Sequence, residues 1–174
     1  MVRHFFVLTL CMMACNAPVY AQEGQAADEV KQKEPNLAWI ISCSSSGQST
    51  DLTCQVSQRI SSAKSRQPIM TVSVQALKSN NENAMLINLA HGFYLVDGVK
   101  VQVDGGETTT LPFQTSDSTG LAAAMPLSSS LLASMKAGNV MNVTVTQYSP
   151  RNNLTFPISL KGFTAAFRKL SGLK

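Results

Sequence analysis

Few side chains in this sequence are equipped for chemistry. Of its two histidines, His4 sits in an N-terminal apolar stretch that reads as a removable leader, so His91 is expected to be the only imidazole of the processed chain. A nucleophilic triad would have to use it. Serines are plentiful and Asp97 is near in sequence, but no GxSxG elbow is present. His91 closes a strand pattern ahead of Gly92 and reads as a surface or rim residue. A zinc site lacks ligands, because one histidine and two oxidised cysteines do not make a tetrahedral set. Asp97, Asp104 and Glu107 could gather around calcium, since hard cations want clustered carboxylates. Asp97 and Asp104, however, stand beside glycines as turn residues do. No phosphate loop or dinucleotide fingerprint occurs, and no pair of carboxylates is marked out for glycosidase chemistry. The expectation is a protein without catalytic residues, metal or cofactor.

The compartment follows from the first residues. Arg3 and His4 precede an apolar run, Phe5–Cys15, and Val19-Tyr20-Ala21 offers a small residue at a cut position. Residues 1–21 therefore read as a secretory signal peptide cleaved between Ala21 and Gln22. The run is far short of the roughly 20 residues that cross a bilayer, and no later segment is long enough. Lipoprotein processing at Cys15 is the rival, with Met12 as an atypical residue three positions before the cysteine. Export alters the cysteine arithmetic. Of four cysteines, Cys11 and Cys15 leave with the leader, and Cys43 and Cys54 remain in an oxidising compartment. Their spacing is far from CxxC, so they read as a structural disulfide. In the chain-entropy picture such a bridge is worth roughly 3 kcal/mol.

The formal charge is +4 with 14% charged residues. Residues 22–36 carry Glu23, Asp28, Glu29 and Glu34 against Lys31 and Lys33, with little apolar content, and read as a flexible linker. The folded part is then residues 37–174. Its basic residues are scattered singly, a solvated surface with weak encouragement for anionic partners. Aromatics make up 6% of the chain and are not interleaved with bases, so nucleic-acid binding is unsupported. Asn142-Val143-Thr144 and Asn153-Leu154-Thr155 match the glycosylation sequon, but the first lies in a strand pattern and the motif is common by chance, so both are discounted.

The elements that must carry any surface are strands, because the dominant period from Leu37 is two. Trp39, Ile41 and Cys43 share a face. Across an antiparallel pair with Cys43 facing Cys54, Ile41 falls opposite Val56 and Trp39 opposite Gln58. Ser44–Asp51 reads as a loop. Met70, Val72, Val74 and Ala76 alternate, as do Met85, Ile87 and Leu89. Asp97-Gly98 between Phe93–Leu95 and Val99–Val103 is a hairpin signal. Leu111–Phe113 and Leu121–Met125 read as short strands around a polar loop, Thr115–Gly120. A helix is predicted with Ser128 or a neighbour as cap, a Leu131, Leu132, Met135 stripe and Gly138 as stop. Met141, Val143 and Val145 alternate next, followed by Leu154, Phe156, Ile158 and Leu160. Pro157 marks that strand as an edge or bulge. Phe163, Ala166, Phe167 and Leu170 recur at helical spacing. About nine strands and one or two short helices predict an all-β, immunoglobulin-like antiparallel sandwich. Two places follow as candidate interaction surfaces: the edge near Pro157 and the loops holding Asp51, Thr115 and Asp117.

Three segments together resemble a known family. Trp39…Cys43…Cys54…Gln58 is similar to the opening of the invasion-associated locus B family of exported Gram-negative proteins. Gly92-Phe93-Tyr94-Leu95-Val96-Asp97-Gly98-Val99, continuing to Val103-Asp104-Gly105-Gly106, resembles its central segment. Ile158-Ser159-Leu160-Lys161-Gly162-Phe163-Thr164-Ala165-Ala166 resembles its closing segment and is the most specific. Family members often carry a second cysteine pair in the stretch that here reads Phe113–Ala124. This chain has Thr115, Ser116, Gly120 and Leu121 there, and His91 stands where a proline is common. The resemblance implies an immunoglobulin-like sandwich in the periplasm or at the envelope. It also implies a non-enzymatic role tied in some members to host-cell invasion, with a protein or envelope component as partner. The alternative is a structural or stress-related envelope protein without a host partner.

Overall fold

The computed structural model describes residues 38–45, 52–77 and 82–173. Among them ten strands and two helices run in the order β1 (Ile40–Ser45), β2 (Leu52–Ser61), β3 (Pro68–Ala76), β4 (Asn83–Leu89), β5 (Val99–Val103), β6 (Thr108–Leu111), β7 (Phe113–Asp117), β8 (Gly120–Pro126), α1 (Ser129–Ala137), β9 (Val140–Thr146), β10 (Asn153–Ser159) and α2 (Phe163–Ser171). The strands form two antiparallel sheets, β1-β2-β3-β4-β8-β7 and β10-β9-β5-β6. The antiparallel sandwich expected from the period of two is thus present, with two helices.

Alternation dictates the core. Val56, Val72, Val74, Met85, Ile87 and Ala123 of the larger sheet are buried, as are Val99, Val101, Leu111, Met141, Val143, Val145 and Ile158 of the smaller. Burying each of the Val, Leu, Ile and Met side chains among them contributes about 1.5–3 kcal/mol. The chain changes sheet at Pro112, between β6 and β7. A residue without an N–H cannot extend a ladder, so the corner falls where the sequence has no donor.

At the β1–β2 end of the larger sheet, α2 packs against both strands. Its buried residues are Phe163, Ala166, Phe167 and Leu170, the four whose spacing predicted the helix. Phe163 is fully buried and meets Trp39 edge-on, with ring centroids 4.9 Å apart. Trp39 Nε1 donates to Ser159 O at 2.9 Å, and Gln58 Nε2 to the same carbonyl at 3.3 Å. Trp39 lies just ahead of β1, so its expected partnership with Gln58 is realised through this shared acceptor.

The predicted register holds elsewhere: Cys43 faces Cys54, with an S–S bond of 2.04 Å, and Ile41 faces Val56. The Ser44–Asp51 loop is shorter than read, because Ser44 and Ser45 pair with Thr53 and Leu52. Helix α1 is capped by Ser128, whose Oγ accepts from Leu131 N at 3.2 Å, and stops at Gly138. A Cβ on Gly138 would lie 2.5 Å from Val103 Cγ1 and 2.9 Å from Asp104 Oδ2, so only glycine fits that approach.

Two expectations are corrected. Thr115–Gly120 is not a loop: Thr115, Ser116 and Asp117 belong to edge strand β7, and the turn is confined to Ser118 and Thr119. A polar sequence on a free edge shows no apolar alternation, because only the backbone is held. Nor does Asp97-Gly98 close a hairpin. Phe93 makes a single bridge to Gln147, and β5 pairs with β6 and β9 instead. Gly98 is still required, at φ 64° and with Leu111 O only 2.7 Å from where a Cβ would sit.

Candidate functional site: an anchored loop tip

The hairpin that failed to form leaves residues 90–98 as a crossover from the larger sheet to the smaller. It lies against the β9–β10 connection. Tyr94 N donates to Thr146 O at 2.8 Å and Tyr148 N to Gly92 O at 2.9 Å, with the Phe93–Gln147 bridge between them. The Arg151 guanidinium stacks 3.7 Å above the Tyr94 ring, a cation–π contact across the two loops. Thr146 Oγ1 donates to Asp97 Oδ2 at 2.7 Å, which ties down the far side of the crossover.

These anchors hold apolar side chains in water. Val96 is 81% exposed, Tyr148 66% and Leu95 49%. Three of the exposed large apolar residues therefore crowd onto two adjoining loops, beside an exposed arginine. Nothing in folding rewards that placement, since burying Val96 or Leu95 would contribute about 1.5–3 kcal/mol each. Tyrosine, arginine and aliphatic side chains on a rigid support are the composition of a protein-contact hot spot. Sequence reading missed this tip because Phe93–Leu95 reads as a strand running into a tight turn at Asp97-Gly98. The usable signal was Tyr148 with Pro150 and Arg151 in a connection otherwise made of small polar residues.

The sequence-derived candidates are scattered. Asp51 lies outside the described residues. Thr115 pairs with Ala122 on the β7 edge of the larger sheet, and Pro157 pairs with Asn142 on the β10 edge of the smaller. β10 lies on the β2 side of the sandwich, where Ser159 takes the Gln58 bond, while β6 and β8 meet on the other side. Pro157 and Thr115 are therefore not brought together. Asp117 helps line a groove of about 280 Å³ with Arg59, Thr71, Asn88, Thr119 and Ala122. Hydrogen bonds from the Thr119 hydroxyl, at 2.6 Å, and the Thr119 N–H, at 2.7 Å, hold its carboxyl below the usual aspartate range; nearby His91 lowers it further. His91 itself is exposed.

Two of the three calcium candidates are engaged by other groups. Asp97 serves Thr146, and Asp104 accepts from Asn139 N at 2.8 Å and Val140 N at 2.9 Å. No group of three metal-ligand side chains gathers among the described residues. Asn142 is half-buried within β9 and Asn153 opens β10.

A two-layer antiparallel sandwich closed at one end by a C-terminal helix and displaying an apolar tip defines the class. Comparison then fixes the family: residues 39–171 match the Invasion associated locus B (IalB) protein family, and the chain belongs to it. An invasion protein B homolog of Brucella abortus strain 2308 is 30% identical over 135 residues, 78% of this chain and 76% of that protein. A second homolog, from Brucella abortus biovar 1 strain 9-941, matches to the same extent. The crystal structure of invasion associated protein B from Bartonella henselae superposes with a TM-score of 0.69 at 20% identity, covering 80% of this chain and 95% of that one. That likeness speaks for the fold. No helix among the described residues is long and apolar enough to cross a membrane.

Proposed function

We propose that this chain is an exported, non-enzymatic contact module of the periplasm or envelope that engages a protein partner through the loop tip and so contributes to host-cell interaction. In this reading residues 1–21 are a signal peptide cut between Ala21 and Gln22, residues 22–36 a linker, and the sandwich the working part. The observation that carries the reading is the exposure of Leu95, Val96 and Tyr148 on loops braced by Arg151 and Tyr94. Family membership and relatives named for invasion support the process.

The test is complementation of a deletion strain, scored by entry into host cells. The wild-type gene restores entry. A Val96→Asp, Tyr148→Ala double variant, exported to the same level, fails to do so. Equal entry by the two would refute the tip as the contact surface. N-terminal sequencing of the processed protein should begin at Gln22; a lipidated start at Cys15 would make it a lipoprotein.

A further inference from the structure

Four strand edges close the two sheets, and three of them carry devices that deter pairing. β10 has Pro157 within it. β6 is four residues long and ends at Pro112. β7 is broken by a register shift between Phe113 and Thr115 and carries Asp117. The fourth, β1, reads Ile-Ile-Ser-Cys-Ser-Ser, with no charge, proline or bulge along its ladder. Its outer side has no neighbouring strand among the described residues.

The disulfide sets which groups that edge presents. Cys43 and Cys54 face each other with a Cα separation of 4.0 Å, the close spacing of a non-hydrogen-bonded pair. Strict alternation then turns the N–H and C=O groups of Ile40, Ser42 and Ser44 toward β2, and those of Ile41, Cys43 and Ser45 outward. The covalent tie to β2 also holds the strand in place, so little ordering is left to do on pairing.

We propose that β1 pairs with β1 of a second copy, joining two larger sheets across a two-fold axis at Cys43. An isologous antiparallel pair about Cys43 sets Ile41 against Ser45 of the other copy, Ser42 against Ser44 and Cys43 against Cys43. The outward groups of both strands meet in about six backbone hydrogen bonds. The register contains no like charges and no two bulky side chains facing one another. A second copy is favoured as the occupant because an uncharged edge built this way is complementary to itself. A strand pair alone stays below about 1,200 Å², so the dimer is of the weak, reversible class.

Sedimentation velocity on the oxidised, processed chain, from about 10 µM to 1 mM, is the experiment. The wild type should shift from monomer to dimer across that range. Ser42 and Ser44 are exposed on the outer face, so a Ser42→Lys, Ser44→Lys variant should keep its fold and disulfide, checked by circular dichroism and thiol titration. It should remain monomeric, because lysines then face lysines. The matching Ser42→Glu, Ser44→Glu variant should also be monomeric, and an equimolar mixture of the two should restore a dimer. A wild type that stays monomeric at 1 mM overturns the proposal. So does a dimer indifferent to these changes, which would place the contact elsewhere; an edge that bound only a foreign peptide strand would give the first of these results.

Discussion

The β9–β10 hairpin runs between two ends of opposite character. At one end, where Ser159 pairs with Val140, the aromatic side chains are packed together and covered: Trp39 on Phe163, Phe163 on Phe167 at 5.7 Å, and Lys136 Nζ 4.7 Å above the Phe167 ring. Polar groups there are also engaged, with Thr164 Oγ1 donating to Lys136 O and Leu160 N to Asn139 O. At the other end, where Asn153 pairs with Thr146, apolar side chains stand in water on a frame just as well bonded. Rigid backbone with exposed apolar surface is what a contact site needs, and rigid backbone with sealed apolar surface is what a core needs. The difference therefore separates where this molecule spends its burial on stability from where it withholds burial for a partner.

The comparison breaks most readily at Phe163. Phe163→Ala leaves a cavity beneath Trp39 and should cost about 3–5 kcal/mol. For a domain of this size that lowers the melting temperature by on the order of 10 °C, measurable by circular dichroism. A loss near 1 kcal/mol would mean that the helix end is less tightly sealed than its contacts indicate.

The disulfide comes next. A Cys43→Ser, Cys54→Ser variant should lose roughly 3 kcal/mol, read as a lower urea midpoint. The bridge ties edge strand β1 to β2, so the loss should appear as earlier fraying of β1 and β2 amides in hydrogen exchange while β9 stays protected. Uniform loss of protection would show that β1 is not separable from the sandwich.

Much of the sealed end was legible in the sequence, and little of the open one. Phe163, Ala166, Phe167 and Leu170 announced α2 because a helix on a core must repeat apolar residues at that spacing. Cys43 and Cys54 fixed the β1–β2 register because two bonded cysteines must face each other. Ser128 and Gly138 bounded α1 by their own local chemistry. At the tip the same apolar pattern misled. Leu95 and Val96 adjoin Asp97-Gly98 as hairpin residues would, and whether such a segment pairs or protrudes depends on β5 preferring β9 and β6, which is a matter of tertiary competition. Strand β7 was invisible for a related reason. Its Thr115, Ser116 and Asp117 face solvent at a sheet edge, so no side-chain pattern records that the backbone is paired.

Acid should weaken the sealed end at the α1–β9 entry. Backbone N–H groups of Asn139 and Val140 hold the Asp104 carboxyl below the usual aspartate range. A carboxyl whose folded value is depressed contributes stability that is complete above its unfolded value, near 4, and fades as pH falls through the lower folded value. Asp104→Asn should therefore flatten the acid limb of the stability curve below about pH 4, leaving its neutral-pH shape unchanged. An acid limb identical to wild type would show that Asp104 does not pin the α1–β9 entry.

The smallest effect on stability is expected at the tip, and its smallness is the point. Val96→Asp replaces a side chain that is 81% exposed, so no buried surface is lost and no charge is desolvated. Substitutions of that kind fall within about ±0.5 kcal/mol, and urea unfolding should place the variant on the wild-type curve. Arg151→Ala should cost somewhat more, because it removes the cation–π brace on Tyr94, worth roughly 0.5–1 kcal/mol at an exposed site. If Val96→Asp instead destabilises by 2 kcal/mol or more, Val96 must be packed against part of its own chain, and the tip would belong to the core's inventory. If it leaves stability intact while abolishing host-cell entry, the two ends of the hairpin are energetically independent, and the withheld burial is completed by a partner.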